Sequence, residues 1–197
     1  YTFFVAGVSF LEANNVVHQL TSDQQEAIDA FRKWIDGNTH GTPFVLSGHA
    51  GSGKTFLSIR LLQIVESLDL CWTVVAPTHK AVGVLKQALE IEDLKPTWYP
   101  STIHRLLRLK LKRQGDLEIC QKTDQTSFSL EQLGLVLIDE ASMIGSALLG
   151  IALECAHAFK TRLVFVGDSA QLPPVGEELS PVFSMQRATN AELKKVV

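Results

Sequence analysis

Residues 43–68 read PFVLSGHAGSGKTFLSIRLLQIVESL, and their order decides the fold. A short apolar run, PFVLS (43–47), enters the glycine-rich segment GHAGSGKT (48–55), and a helical pattern leaves it. The segment matches G-x-x-x-x-G-K-[ST] in full, between the strand and the helix that a phosphate-cradling P-loop requires. Glycines let the backbone wrap closely round phosphate oxygens with its N–H groups turned inward, and the following helix adds its positive end. Gly48, Ala50, Gly51, Ser52, Gly53, Lys54 and Thr55 are therefore the candidate ATP contacts. Lys54 would neutralise the β- and γ-phosphates, and Thr55 would place its hydroxyl on Mg2+. A chance glycine turn containing Lys-Thr would have no reason to sit between these two elements.

Working outward, the runs at 71–76, 133–138 and 162–167 are equally apolar, as strands buried on both faces should be. Helical patterns occupy 24–35, 54–68, 80–89 and 142–159. The alternation predicts an α/β fold: a parallel sheet with helices on both faces and its ligands at the carboxyl ends of the strands. The run LVLI (135–138) ends in Asp139 and Glu140. Two ionised acids at the tip of a buried strand need a partner, and a magnesium ion supplies one. Asp139 would hold Mg2+ through water, and Glu140 would orient and deprotonate the attacking water. Taken alone, the pair could instead be the acidic start of a helix. Downstream of a P-loop, the catalytic reading prevails.

At 197 residues and 46% hydrophobic, the chain has enough apolar material for one α/β domain. No apolar run reaches the roughly 18 residues of a membrane span. The opening YTFFVAGVSFLEANN lacks a basic region and a small-residue cleavage site, so it does not read as a signal peptide. Without an initiator Met, the chain is expected to begin inside a longer protein. Cys71, Cys120 and Cys155 are odd in number and widely spaced, which suits buried thiols in a reducing, cytoplasmic setting rather than a disulfide framework or zinc site. The net charge of −3 gives no general basic field. Locally, Arg105, Arg108, Lys110, Lys112 and Arg113 share an acid-free window, either a solvated face or a phosphate-binding patch.

Four further segments decide what the nucleotide serves: LTSDQQEAI (20–28), APTHKAVGVL (76–85), STIHRLL (101–107) and VGDSAQLPPVG (166–176). With the P-loop and LVLIDEAS (135–142), they resemble the ordered motifs of superfamily 1 DNA helicases, in the RecD-like and Dda-like branch that moves 5′→3′ on single-stranded DNA. The resemblance covers residues 20–176. It implies a RecA-like ATPase domain over 20–197, an N-terminal extension over 1–19, a hairpin insertion at about 107–128, and a second motor domain, with its arginine finger, outside this chain. Arg187 is not at a position that would supply that finger.

The same resemblance assigns roles. Gln24 would hydrogen-bond the adenine edge, although Thr21 and Gln24 also form the pattern of a capping box; Gln25 is the lesser candidate. Pro77, Thr78, His79 and Lys80, then Thr102 and His104, would meet the phosphates of single-stranded DNA. Thr78 is equally placed to cap a helix. Gln171 would read the γ-phosphate beside Lys54, Asp139 and Glu140, near Asp168, with Pro173 and Pro174 stiffening the loop. LRLKLKRQGDLEICQKTDQTS (107–127) reads as a β-hairpin around Gln-Gly-Asp, where the family carries a strand-separating pin. Its core has no aromatic to present to a base, and Lys110, Lys112 and Arg113 could grip phosphates instead. Trp98 and Tyr99 in PTWYPS (96–101) could stack on bases or pack on the domain. The competing reading is an ATPase switch or binding module that has kept the fold without acting on nucleic acid. A phosphate-transferring kinase leaves the Gly-Asp-x-x-Gln motif unexplained.

Overall fold

The computed structural model describes residues 20–37, 39–114 and 117–196. The extension at 1–19 and the Gly115–Asp116 turn of the expected hairpin lie outside the described residues. In chain order the elements are α1 (Ser22–Asp36), β1 (Phe44–Gly48), α2 (Lys54–Ser67), β2 (Trp72–Ala76), α3 (His79–Ile91), β3 (Ser101–Thr102), the one-turn α4 (Ile103–Leu106), β4 (Lys110–Gln114), β5 (Leu117–Gln121), β6 (Leu135–Ile138), α5 (Ser146–Phe159), β7 (Arg162–Gly167) and β8 (Thr189–Leu193). Six strands form one parallel sheet in the order β3-β2-β6-β7-β1-β8. β4 and β5 form a separate antiparallel pair, with Lys112 opposite Ile119.

Alternation along each strand divides the core into two layers, because successive side chains point to opposite faces. Leu46, Val74, Leu137 and Val164 face one layer with α1, α2 and α3. Val45, Val75, Ile138 and Phe165 face the other with α4 and α5. Phe31, Trp34 and Phe44 anchor the first layer, their ring centroids 5.3–5.5 Å apart.

Three expectations need correction. The helix expected over 142–159 starts only at Ser146. Ala141–Met143 form a 3-10 turn, and Gly145 is extended (φ −85°, ψ 169°), so the first turn is never joined to the helix. Of the three thiols only Cys155 is buried; Cys120 is intermediate and Cys71 is exposed. Cys71 stands just before β2, outside the covering helices, and its carbonyl accepts the N–H groups of Gly134 and Leu135. The strands β3 and β8 lie outside every run that hydrophobicity marked. The first has two residues, and the second, TNAEL, alternates exposed and partly buried positions along the sheet edge.

Candidate nucleotide and nucleic-acid site

The P-loop leaves β1 through glycines that the geometry demands. Gly51 and Gly53 have φ of +79° and +83°, which favour glycine. A Cβ on Gly48 would lie 2.6 Å from Ser52 Oγ and 2.9 Å from Leu193 Cβ. Gly53 offers α2 no side-chain cap, so the first N–H groups of that helix remain available to an anion. Lys54 Nζ donates to the carbonyls of Gly48 (2.6 Å) and His49 (2.9 Å). Ser52 Oγ is buried with no hydrogen-bond partner among the described residues. An uncapped helix start, a bent glycine backbone and a lysine resting on loop carbonyls fit a polyphosphate.

Gln24 is buried against this loop. Its Oε1 accepts from Thr21 N (3.1 Å) while Gln24 N donates to Thr21 Oγ1 (3.3 Å), completing the capping box. Its Nε2 donates to Ser52 O at 3.4 Å, tying the start of α1 to the P-loop. Gln25 is exposed and donates to Asp29 Oδ1 (3.1 Å).

At the tip of β6, Asp139 accepts the N–H of Glu140 (2.8 Å). Burial pushes the Asp139 carboxyl above its usual range; that hydrogen bond opposes the shift, the Glu140 charge adds to it, and the nearby Lys54 charge lowers it. A carboxyl buried at a strand tip is a candidate cation ligand, because a bound cation would offset the cost of its charge. Among the described residues no cluster of three or more His, Cys, Asp or Glu could hold a metal. Thr55 by its hydroxyl and Asp139 through water are the residues that could hold a phosphate-bound Mg2+. Glu140 sits at φ +52°, ψ 44°, a left-handed conformation uncommon outside glycine and concentrated at functional sites.

Asp168, at the end of β7, is 4% exposed. Its Oδ1 accepts from Ala170 N (2.9 Å) and lies 3.6 Å from His49 Nδ1 of the P-loop. Its carbonyl accepts from Gln171 N (3.1 Å), so Gln171 follows directly and is exposed. Hydrophobic patterning passed over two residues that lock this region. Ser180 Oγ lies 2.8 Å from Ala141 O and 2.6 Å from Ile144 O, and the Glu177 carboxylate meets Ser146. Neither lies in a recognisable motif; a serine before proline at 180–181 was the one local signal.

The remaining candidates cluster on the adjacent strands. Thr78 is the N-cap of α3, accepting from Ala81 N (3.2 Å), and Thr102 is the N-cap of α4, accepting from Arg105 N (3.3 Å). Each hydroxyl acts as an acceptor there and retains its own proton to donate. Ala76 pairs with Thr102 across β2 and β3, which sets the two capped helix starts side by side. His79 and Lys80 are exposed, Pro77 and His104 are intermediate, and Thr102 is buried. Along the strand ends the row therefore runs Thr102–His104, Pro77–Lys80, Asp139–Glu140, Asp168–Gln171, P-loop.

Known proteins resemble this chain over most of its length. A family model described as an AAA domain matches residues 19–197. An uncharacterized protein of Acanthamoeba polyphaga mimivirus is 32% identical over 177 residues, covering 82% of this chain and 35% of that protein. The ATP-dependent RecD2 DNA helicase of Deinococcus radiodurans is 32% identical over 154 residues, covering 77% of this chain and 19% of that protein. The chain thus spans about a third or less of these relatives. The structure of Bacteroides Pif1 bound to single-stranded DNA superposes with a TM-score of 0.60 at 20% identity, covering 91% of this chain and 42% of that one, which shows a shared fold. No helix among the described residues is long and apolar enough to cross a membrane. The chain belongs to the AAA-domain family, and the curated proteins it resembles include the RecD2, RecD and Pif1 helicases.

Proposed function

We propose that this chain is the ATP-hydrolysing module of a 5′→3′ DNA helicase and couples turnover to movement along single-stranded DNA. The observation that carries this reading is the division of one row of strand ends into two halves. Lys54, Asp139, Glu140 and Gln171 follow β1, β6 and β7, while Pro77–Lys80 and Thr102–His104 follow the neighbouring β2 and β3. A nucleic-acid track gives a use to exposed His79 and Lys80 at a helix start beside the acids at the tip of β6, which a switch without such a track does not.

Bound Mg2+ supplies charge neutralisation on the phosphates. Thr55 would hold it by its hydroxyl and Asp139 through water, while Lys54, now resting on loop carbonyls, would turn to the phosphate oxygens. Glu140 orients the attacking water and takes its proton. Gln171 contacts the γ-phosphate, and its backbone bond to Asp168 ties it to the residue beside His49 of the P-loop. Gln24 reaches the adenine edge by giving up its 3.4 Å bond to Ser52 O, the longest bond its side chain makes, while keeping the capping box. A second motor domain closes the cleft and supplies the arginine finger, worth about 10³–10⁵ in related phosphoryl transfer.

The test is ATP hydrolysis by the full-length protein with and without single-stranded DNA. Strong stimulation is expected. Equal turnover in both conditions would favour the nucleic-acid-independent ATPase.

A further inference from the structure

Tyr99 stands 91% exposed on the β3 edge of the sheet, although the loop that carries it is firmly held. Thr97 N donates to Trp72 O (2.9 Å), and Trp98 O accepts from Thr73 Oγ1 (2.8 Å). Trp98 packs against the second core layer, so of the two adjacent aromatics one is anchor and the other is left in water. Tyr99 forms a wall of a groove of about 280 Å3, together with Lys86 of α3, Arg105 of α4 and Arg108. No carboxylate lines this groove. Among the described residues neither Lys86 nor Arg105 forms an ion pair, and Arg108 is steadied by Gln125 Oε1 (3.0 Å). Arg105 lies on the same helical turn as His104, so the groove continues directly from the end of the proposed DNA track.

Three cations and no carboxylate line this groove beside one exposed ring, while Glu90 and Lys95 line the adjoining groove that shares Lys86 and Tyr99; the first groove complements a ligand that is anionic along its length and carries flat apolar faces. We propose that this groove is an additional contact for single-stranded DNA, lateral to the strand-end row, in which Tyr99 stacks on one base while Lys86, Arg105 and Arg108 hold the flanking phosphates. The inference rests on the reading that the chain acts on single-stranded DNA. It adds a base-dependent component to what would otherwise be a phosphate-only grip.

The experiment measures binding of the full-length protein to a fluorescein-labelled oligodeoxythymidylate and to an abasic oligomer of equal length, by fluorescence anisotropy. Tyr99→Ala should weaken binding to the thymidine oligomer by roughly tenfold, the scale of one lost stack, and leave the abasic oligomer unaffected. Tyr99→Phe keeps the ring and should bind both as the parent does. Arg105→Glu with Lys86→Glu should weaken both oligomers and flatten the salt dependence. If Tyr99→Ala bound both oligomers as tightly as the parent, or lost affinity for both equally, the stacking role would be overturned. A parent protein that bound neither oligomer would overturn the single-stranded-DNA reading itself, a result distinct from either.

Discussion

Glu177 stands at the first turn of α5: its carboxylate accepts Ser146 N–H at 2.7 Å and Ser146 Oγ–H at 2.9 Å. The helix has Gly145 as its N-cap and no cap side chain of its own, so a residue 31 positions downstream satisfies its first donor. The carboxylate also sits favourably at the positive end of the helix. This contact joins the loop that follows Gln171 to the segment that follows Glu140, in addition to the Ser180 hydroxyl between Ala141 and Ile144.

Glu177→Ala should therefore destabilise the domain by about 1 kcal/mol, the usual worth of an N-cap. Gly145→Ala should act through the same contact, because a Cβ there would come within 2.8 Å of Glu177 Oε1 and push the carboxylate aside. Urea unfolding of both single variants and the double variant tests this: the two losses should be clearly less than additive. Full additivity would mean that Gly145 and Glu177 act independently.

Glu140 separates stability from chemistry. Its left-handed backbone (φ +52°) is costly for a residue with a Cβ. Glu140→Gly should leave the melting temperature unchanged or raise it, while removing the carboxylate proposed to take the water proton. Glu140→Gln should keep nucleotide binding in the full-length protein and lower hydrolysis by ~10²–10⁴. Lys54→Ala should instead reduce nucleotide binding itself. Undiminished turnover in Glu140→Gln would remove this side chain from catalysis.

The sequence marks where the candidate nucleotide site lies because both of its segments are local. GHAGSGKT and LVLIDEAS each place their candidate groups within one loop at the end of a continuous apolar strand. What stayed hidden depends on contacts distant in sequence. β8 is a strand because Val45, Leu46 and Ser47 pair with Asn190, Ala191 and Glu192, and nothing in TNAEL announces it. The start of α5 was misplaced because residues 142–145 carry no breaker stronger than Gly145, whose extended backbone ends the 3-10 turn. Trp98 and Tyr99 are adjacent and chemically alike, and only the pinning of the loop to β2 turns one inward and leaves the other exposed.

Lys80 is exposed on the first turn of α3, beside the Thr78 cap. Lys80→Glu should weaken single-stranded DNA binding for all oligonucleotide sequences alike, because a phosphate contact carries no base information. The slope of log affinity against log salt should fall by about 0.7, the share of one phosphate on a single strand. Binding isotherms at several salt concentrations measure both. A loss confined to particular sequences would place Lys80 on bases instead.

Asp23 governs how the edge strand responds to acid. Its Oδ2 accepts the N–H groups of Lys194 (2.8 Å) and Lys195 (3.0 Å) just beyond β8, and its Oδ1 accepts the Thr21 hydroxyl. The Thr21 hydrogen bond first, and then the Lys195 N–H, hold this carboxyl well below the usual carboxylate range; burial opposes them and the Lys194 N–H adds to them. In the unfolded chain the same group titrates near its ordinary value of about 4. Above that value both states are ionised and the stabilisation is fully present. As pH falls below it the unfolded chain takes up a proton before the folded one, so this contribution shrinks progressively toward the lower folded value. Asp23→Asn keeps the shape but weakens the acceptor, and at neutral pH it should cost about 1 kcal/mol or less, since the site is partly exposed. Thermal unfolding at pH 7 and at pH 3 should then show the gap between parent and variant narrowing in acid. A gap that stayed constant or widened would mean that Asp23 holds the end of β8 by shape alone, without the contribution of its charge.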